Sequence, residues 1–169
     1  MTIGELAYMI NEENWLDNKL DLYIVKMQGW DRKEYYNSTG LSFIPPSPNI
    51  PDLETAVLYS GLCLIEGTNL SEGRGTDAPC QLVGAPWLDN KSIAEKLQKY
   101  SLKGDRLETV SFIPQSLAAS RYPKYEGEKC DGIRIFSLES PLIWTINLLQ
   151  IVQDQHPKQF RLLESNFID

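Results

Sequence analysis

The chain has 169 residues, of which 42% are hydrophobic and 23% charged, and its formal net charge is −7. This length and composition are typical of a globular domain with a real core and exclude an intrinsically disordered chain. The acidic excess argues against nucleic acid or an anionic membrane surface as the main partner, and no apolar run approaches the ~20 residues of a membrane span.

The first part of the chain is predicted to hold a helix, a strand and a stiff connection. Thr2-Ile3-Gly4-Glu5 has the form of a capping box and leads into an amphipathic pattern of about three turns. Residues 21–27 are rich in β-formers and predict a mostly buried strand, followed by Gly29-Trp30-Asp31-Arg32. Four prolines between positions 45 and 51 exclude regular structure there. The start at Met1 shows no signal peptide pattern.

The remainder alternates helices and strands. Asp52 is expected to cap a short helix, and Ser140-Pro141 supplies an N-cap and a first-turn proline for a final helix that is apolar nearly all round and therefore expected to be largely buried. Further elements are predicted as a helix over 89–100 and strands over 107–113 and 132–136. The order predicts an α/β (or α+β) fold, divided into a first portion over residues 1–85 and a second over 86–169.

Residues 66–76, Glu-Gly-Thr-Asn-Leu-Ser-Glu-Gly-Arg-Gly-Thr, form a polar segment that we call the glycine-rich loop. Three glycines let the backbone take positive φ and approach another molecule closely. With one apolar residue in eleven, the segment is not expected to bury itself. An ordinary surface turn is the alternative, but two acids and a guanidinium favour a loop that grips a polar ligand.

Glu66 and Glu72 are the candidate catalytic acids, because glycosidases place two carboxylates around the scissile bond. Each is equally explained as a solvated loop acid. Arg74 lies between two glycines, and its planar fork suits capture of a carboxylate. The alternative for Arg74 is an internal salt bridge to Glu66 or Glu72, and the two roles are compatible.

Other side chains give weaker signals. Trp30 is the aromatic residue best placed for stacking on a sugar, whereas Trp87 is interpreted as a packing residue. His156 has no second histidine to work with, and the three cysteines lack metal-ligand spacing, so a metal site is not predicted from these residues. We expect the cysteines to be buried free thiols.

Several motifs together resemble the exo-β-N-acetylmuramidase (NamZ-like) glycoside hydrolases. They are Gly29-Trp30-x-Arg32, Pro46-Ser47-Pro48-Asn49-x-Pro51, the whole glycine-rich loop, Gly84-Ala85-Pro86-Trp87 and Pro123-Lys124-Tyr125-x-Gly127-x-x-Cys130. The resemblance implies the end of a Rossmann-like domain followed by a smaller α+β domain. It also implies release of terminal N-acetylmuramic acid from peptidoglycan fragments, without a cofactor, in the periplasm or outside the cell.

The resemblance also changes the expected roles of the residues. Family chains are much longer and their main acids are expected upstream of this segment, so Glu66 and Glu72 would line or support the cleft. Asn69, Ser71, Arg74, Trp30 and Arg32 become the candidate substrate-binding residues. Arg74 would bind the lactyl carboxylate that distinguishes muramic acid from glucosamine.

Two other interpretations stay open at this stage. One is a non-catalytic carbohydrate-binding or interaction module derived from the same fold. The other is an incomplete piece with an exposed sheet edge. Whether the chain is an enzyme on its own, and its oligomeric state, are left undecided by the sequence.

Overall fold

The computed structural model of the chain describes residues 1–163. Its contacts divide the chain into two compact units, Met1–Thr39 and Gly40–Asp169. The predicted division between residues 85 and 86 falls at the end of a strand in the second unit, and it stays a prediction.

The first unit contains helix α1, Ile3–Glu12, which begins at the expected capping box. The Thr2 hydroxyl accepts a bond from the Glu5 backbone N–H at 3.2 Å, and the Glu5 carboxylate accepts one from the Thr2 N–H at 2.7 Å. These reciprocal bonds satisfy backbone donors that the first turn of a helix leaves unpaired. This helix prediction is therefore confirmed.

The strand expected over residues 21–27 is absent, so that prediction is wrong. Tyr23, Val25 and Met27 are largely exposed. Ile24 lies close to Gly4 of α1, since a Cβ built on Gly4 would be 2.8 Å from Ile24 Cγ2. A strand needs a neighbouring strand for its backbone hydrogen bonds, and no described segment pairs with this one. β-forming composition alone was not sufficient.

The second unit begins with the irregular proline-rich connection, as predicted, and continues into helix α2, Leu53–Leu62. Asp52 caps α2 by accepting a bond from the Thr55 N–H at 2.7 Å. A 3₁₀ turn, Cys63–Gly67, then leads into the glycine-rich loop. The remaining helices are α3, Asn90–Leu97, and α4, Pro141–Gln155.

Three antiparallel strands form the sheet of this unit: β1, Leu82–Ala85, β2, Arg106–Phe112, and β3, Cys130–Ser137, in the order β1-β3-β2. Gly84 is opposite Gly132 in the β1–β3 pair, and Val110 is opposite Gly132 in the β2–β3 pair. β2 and β3 confirm the two predicted strands, and β1 is an addition. Helices with a small antiparallel sheet confirm the α/β (or α+β) prediction.

The core lies among α2, α3, α4 and β3. Its largest fully buried side chains include Leu58, Leu62, Ile93, Ile133, Trp144 and Leu148. α2 approaches α4 so closely at Gly61 that a Cβ there would lie 2.2 Å from the Pro141 carbonyl carbon.

Helix α4 buries only one of its faces. Trp144, Leu148 and Val152 are buried, whereas Ile143 and Ile146 are exposed, so the expectation of a largely buried helix is wrong for the outer face. Among residues 1–163, no helix has both the length and the apolar character needed to cross a membrane.

Candidate functional site

The glycine-rich loop is packed into the second unit, contrary to the expectation that it would not bury itself. All eleven of its residues are buried or half-buried, and Leu70, Ser71 and Glu72 are among the buried ones. Ser71 exchanges two backbone hydrogen bonds with Gly84 of β1, at 2.8 and 3.1 Å. The loop is buried because its polar groups find partners inside the protein, which removes the cost of withdrawing them from water.

Two loop glycines are required by the backbone. Gly73 and Gly75 have φ of 78° and 79°, a region that residues with a Cβ rarely adopt. A Cβ on Gly75 would lie 2.4 Å from the Gln115 carbonyl oxygen and 2.7 Å from Pro123 Cγ. Positive φ is confirmed at both glycines. The close approach is made within the chain rather than to another molecule, since Gly75 packs against Gln115 and Pro123 and Gly73 against Ala78 and Leu82.

Arg74 lies between the two candidate catalytic acids. Its Nη2 donates to Glu66 Oε1 at 2.7 Å, and its Nε lies 3.4 Å from Glu72 Oε1, an ion-pair distance without hydrogen-bond geometry. Arg74 is about one-third exposed. The internal salt bridge is thus present, and it involves both acids rather than one.

Lys124 completes this cluster from a distant part of the chain. Its ammonium donates to Glu72 Oε2 at 2.9 Å and lies 3.0–3.3 Å from the carbonyl oxygens of Ile65, Glu66 and Leu70. Four acceptors around three N–H donors hold both ends of the segment 65–72 at one point. We call Glu66, Glu72, Arg74 and Lys124 the charge cluster.

Sequence reasoning did not single out Lys124 as a site residue. It lies 52 positions from Glu72, and no local periodicity links them. The available signal was its place inside the Pro123-Lys124-Tyr125 motif, where a lysine between proline and tyrosine has no helix or strand pattern to explain it.

The electrostatic setting keeps the neighbours of the charge cluster neutral at physiological pH. Burial, followed by the charge of Glu66, raises the pKa of Tyr59 to about 12. Burial raises the pKa of the Cys80 thiol to about 12, although Arg74 acts in the opposite direction. For Arg74 itself burial lowers the pKa, but the charges of Glu66 and Glu72 outweigh burial and raise it.

The two other loop candidates, Asn69 and Ser71, are engaged in internal bonds. The Asn69 amide donates to the Gln159 carbonyl at 2.9 Å, and its oxygen accepts from the Arg161 N–H at 2.8 Å. The buried Ser71 hydroxyl accepts from the Gly73 N–H at 3.2 Å. These bonds give both side chains structural roles, and their substrate contacts stay predictions.

Tyr125 connects the loop to a second aromatic group. Its hydroxyl donates to the Asn69 carbonyl at 2.8 Å and accepts from the Trp87 indole N–H at 3.1 Å. The Trp87 ring lies 5.3 Å from the His156 ring, centroid to centroid. Trp87 is therefore a packing residue, as predicted from the sequence.

Trp30 and Arg32 belong to the first unit, and each is about half exposed. The Arg32 guanidinium lies 5.1 Å from the centre of the Trp30 ring and forms an ion pair with Glu5. Their contact with substrate stays a prediction.

The three cysteines are free thiols; Cys80 and Cys130 are buried and Cys63 is half-buried. Within residues 1–163, no group of three or more His, Cys, Asp or Glu side chains is arranged to hold a metal ion.

Comparison with known protein families assigns the chain to a family. The model of the exo-beta-N-acetylmuramidase NamZ C-terminal domain matches residues 57–169, and that of the NamZ N-terminal domain matches residues 1–54. The chain belongs to the NamZ family. The resemblance stated from the sequence motifs is thereby confirmed.

One relative and two solved structures are also similar to this chain. The peptidoglycan beta-N-acetylmuramidase NamZ of Bacillus subtilis (strain 168) is 35% identical over 173 residues, which span all of this chain and 40% of that protein. Crystal structures of two DUF1343 family proteins from Bacteroides fragilis NCTC 9343 match with TM-scores of 0.70 and 0.65 at 30% and 29% identity. They cover 91% and 92% of this chain, which spans 40% of each of them.

Proposed function

We propose that this chain is part of an exo-acting glycoside hydrolase that removes terminal N-acetylmuramic acid from peptidoglycan fragments. The observation that carries the proposal is the pair of NamZ domain matches, together covering residues 1–54 and 57–169. The activity for which the Bacillus subtilis relative is named, that of a peptidoglycan beta-N-acetylmuramidase, supports the substrate class.

The charge cluster supplies a chemical reason for a preference for muramic acid. Muramic acid carries a lactyl ether carboxylate that glucosamine lacks, and a guanidinium is suited to that anion. Among residues 1–163, Arg74 uses Nη2 for Glu66 and places Nε beside Glu72, while its second terminal nitrogen, Nη1, has no hydrogen-bond acceptor. That free edge, on a partly exposed side chain, is the position proposed for the lactyl carboxylate.

Both candidate acids are assigned supporting roles. Glu66 and Glu72 are ion-paired with Arg74, and Glu72 is also paired with Lys124. A carboxylate held in this way orients a guanidinium well but is poorly suited to proton transfer to a glycosidic oxygen. The chemistry is therefore proposed to reside outside the charge cluster, which binds and orients the sugar.

The activity is tested on the full-length product of the gene that encodes this chain. We expect release of p-nitrophenol from p-nitrophenyl N-acetyl-β-muramide and none from the matching glucosaminide. A soluble, folded protein that cleaves neither glycoside would overturn the proposal.

The family resemblance further implies action in the periplasm or outside the cell, and we include this in the proposal. Fractionation of cells that express the protein at its natural level tests the location. We expect the protein outside the cytoplasmic fraction, and its recovery only with cytoplasmic markers would contradict this.

A further inference from the structure

Lys124 contributes a charge as well as hydrogen bonds to the site. Without it, Arg74 would face two carboxylates, Glu66 and Glu72, and the group would carry one net negative charge. With Lys124 at 2.9 Å from Glu72, two cations face two carboxylates and the formal charge is zero.

Burial strengthens the interactions between the charges of the cluster. The Glu72 side chain is only 9% exposed and that of Lys124 25%, so their charges are less screened than those of surface groups. Tyr59 and Cys80 are neutral, so they do not alter the count.

We propose that Lys124 is a specificity-determining positioning residue, which neutralises Glu72 so that the free edge of Arg74 can accept the carboxylate of an anionic sugar. This inference rests on the proposed function, because it assumes that Arg74 binds that carboxylate. Lys124 itself does not touch the sugar and acts through Glu72 and the loop backbone.

Selectivity for charge distinguishes this role from simple support of the loop. A purely structural lysine would, when replaced, weaken the binding of neutral and anionic sugars alike. A charge-balancing lysine would affect mainly the anionic sugar, and removal of one carboxylate would compensate for its loss.

The experiment measures the affinities of the chain for N-acetylmuramic acid and N-acetylglucosamine by NMR titration, in wild type, Lys124→Met, Glu72→Gln and the double variant. We expect Lys124→Met to lower the muramic acid preference roughly tenfold, equivalent to ~1.4 kcal/mol. Glu72→Gln should raise the preference, and the double variant should return it close to the wild-type value. The spectra also report whether each variant is folded.

Each outcome has a defined meaning. If wild type binds neither sugar, or binds both equally, the proposed role of Arg74 fails and this inference fails with it. If wild type prefers muramic acid but the preference is unchanged across the folded variants, the role of Lys124 alone is overturned. If Lys124→Met does not fold, Glu72→Gln and the double variant still decide, because the inference requires a higher preference in the first than in the second.

Discussion

Residues 29–32 and the glycine-rich loop have similar local chemistry, since each combines glycine, an arginine and at least one carboxylate, yet the protein uses them differently. Arg32 pairs with Glu5 in a region where both side chains are about half exposed. Arg74 pairs with a 9%-exposed Glu72 in a loop bonded to β1. The polar composition of a segment is therefore not sufficient to predict whether the segment is buried. The two regions differ in the number of internal hydrogen-bond and ion-pair partners available to each polar group.

The largest expected effect comes from Gly75→Ala. Its φ of 79° costs a residue with a Cβ about 1–2 kcal/mol, and the overlap with the Gln115 carbonyl adds about 1–3 kcal/mol. We expect a total loss of about 3 kcal/mol in the free energy of unfolding, measured by urea denaturation.

Gly127→Ala is the matched control, because Gly127 has φ of 77° but nothing within 4 Å of an added Cβ. It should lose only the conformational contribution. Equal losses for the two variants would show that the loop is not packed against residues 114–125.

A smaller effect is expected from removing one cation from each region. Lys124→Met leaves the buried Glu72 carboxylate without its ammonium partner, and a hydrogen bond between charged groups contributes about 1.5–3 kcal/mol. We expect a loss of about 2 kcal/mol in the free energy of unfolding. Arg32→Met breaks an exposed pair and should cost less than about 1 kcal/mol. The contrast between the regions is wrong if Arg32→Met costs as much as Lys124→Met.

The smallest expected effect is the pH dependence of α1. The bond from the Thr2 N–H, assisted by Arg32, lowers the pKa of Glu5 below its ordinary value of 4.5, and burial opposes this. Because the folded pKa is the lower one, the stabilisation is fully present above pH 4.5 and is lost as the pH falls through the folded value.

An NMR titration of the Glu5 carboxyl group tests this. In the control variant Arg32→Met, the pKa of Glu5 should rise part of the way towards 4.5, because the bond from the Thr2 N–H remains. Glu5→Gln should remove this acid-dependent loss of helix from α1. A midpoint for Glu5 at or above 4.5 would contradict the capping box as described.

The secondary structure of the second unit was largely predictable, because its signals are local. Asp52 caps α2 and residues 89–100 form α3 with a following 3₁₀ turn, each from a pattern within one or two turns of chain. β1 was missed because it has four residues, one of them glycine, and its identity depends on pairing with β3.

The site was predictable in composition but not in arrangement. The loop residues were identified, including the salt-bridge alternative for Arg74, whereas the contribution of Lys124 depends on contacts across more than 50 residues. The burial of the loop likewise depends on non-local contacts, with Gly84 and Gln115. The prediction of a strand over residues 21–27 was wrong for a related reason, because local sequence does not show whether a partner strand is present.

The central claim is that Arg74 recognises an anionic sugar from within a neutral charge cluster. The most direct test is the ratio of affinities for N-acetylmuramic acid and N-acetylglucosamine in wild type, Arg74→Lys and Arg74→Ala, by NMR titration of the folded chain. We predict that Arg74→Ala lowers the affinity for muramic acid much more than that for glucosamine, with Arg74→Lys in between. Equal losses for both sugars, or an unchanged ratio, would contradict the claim.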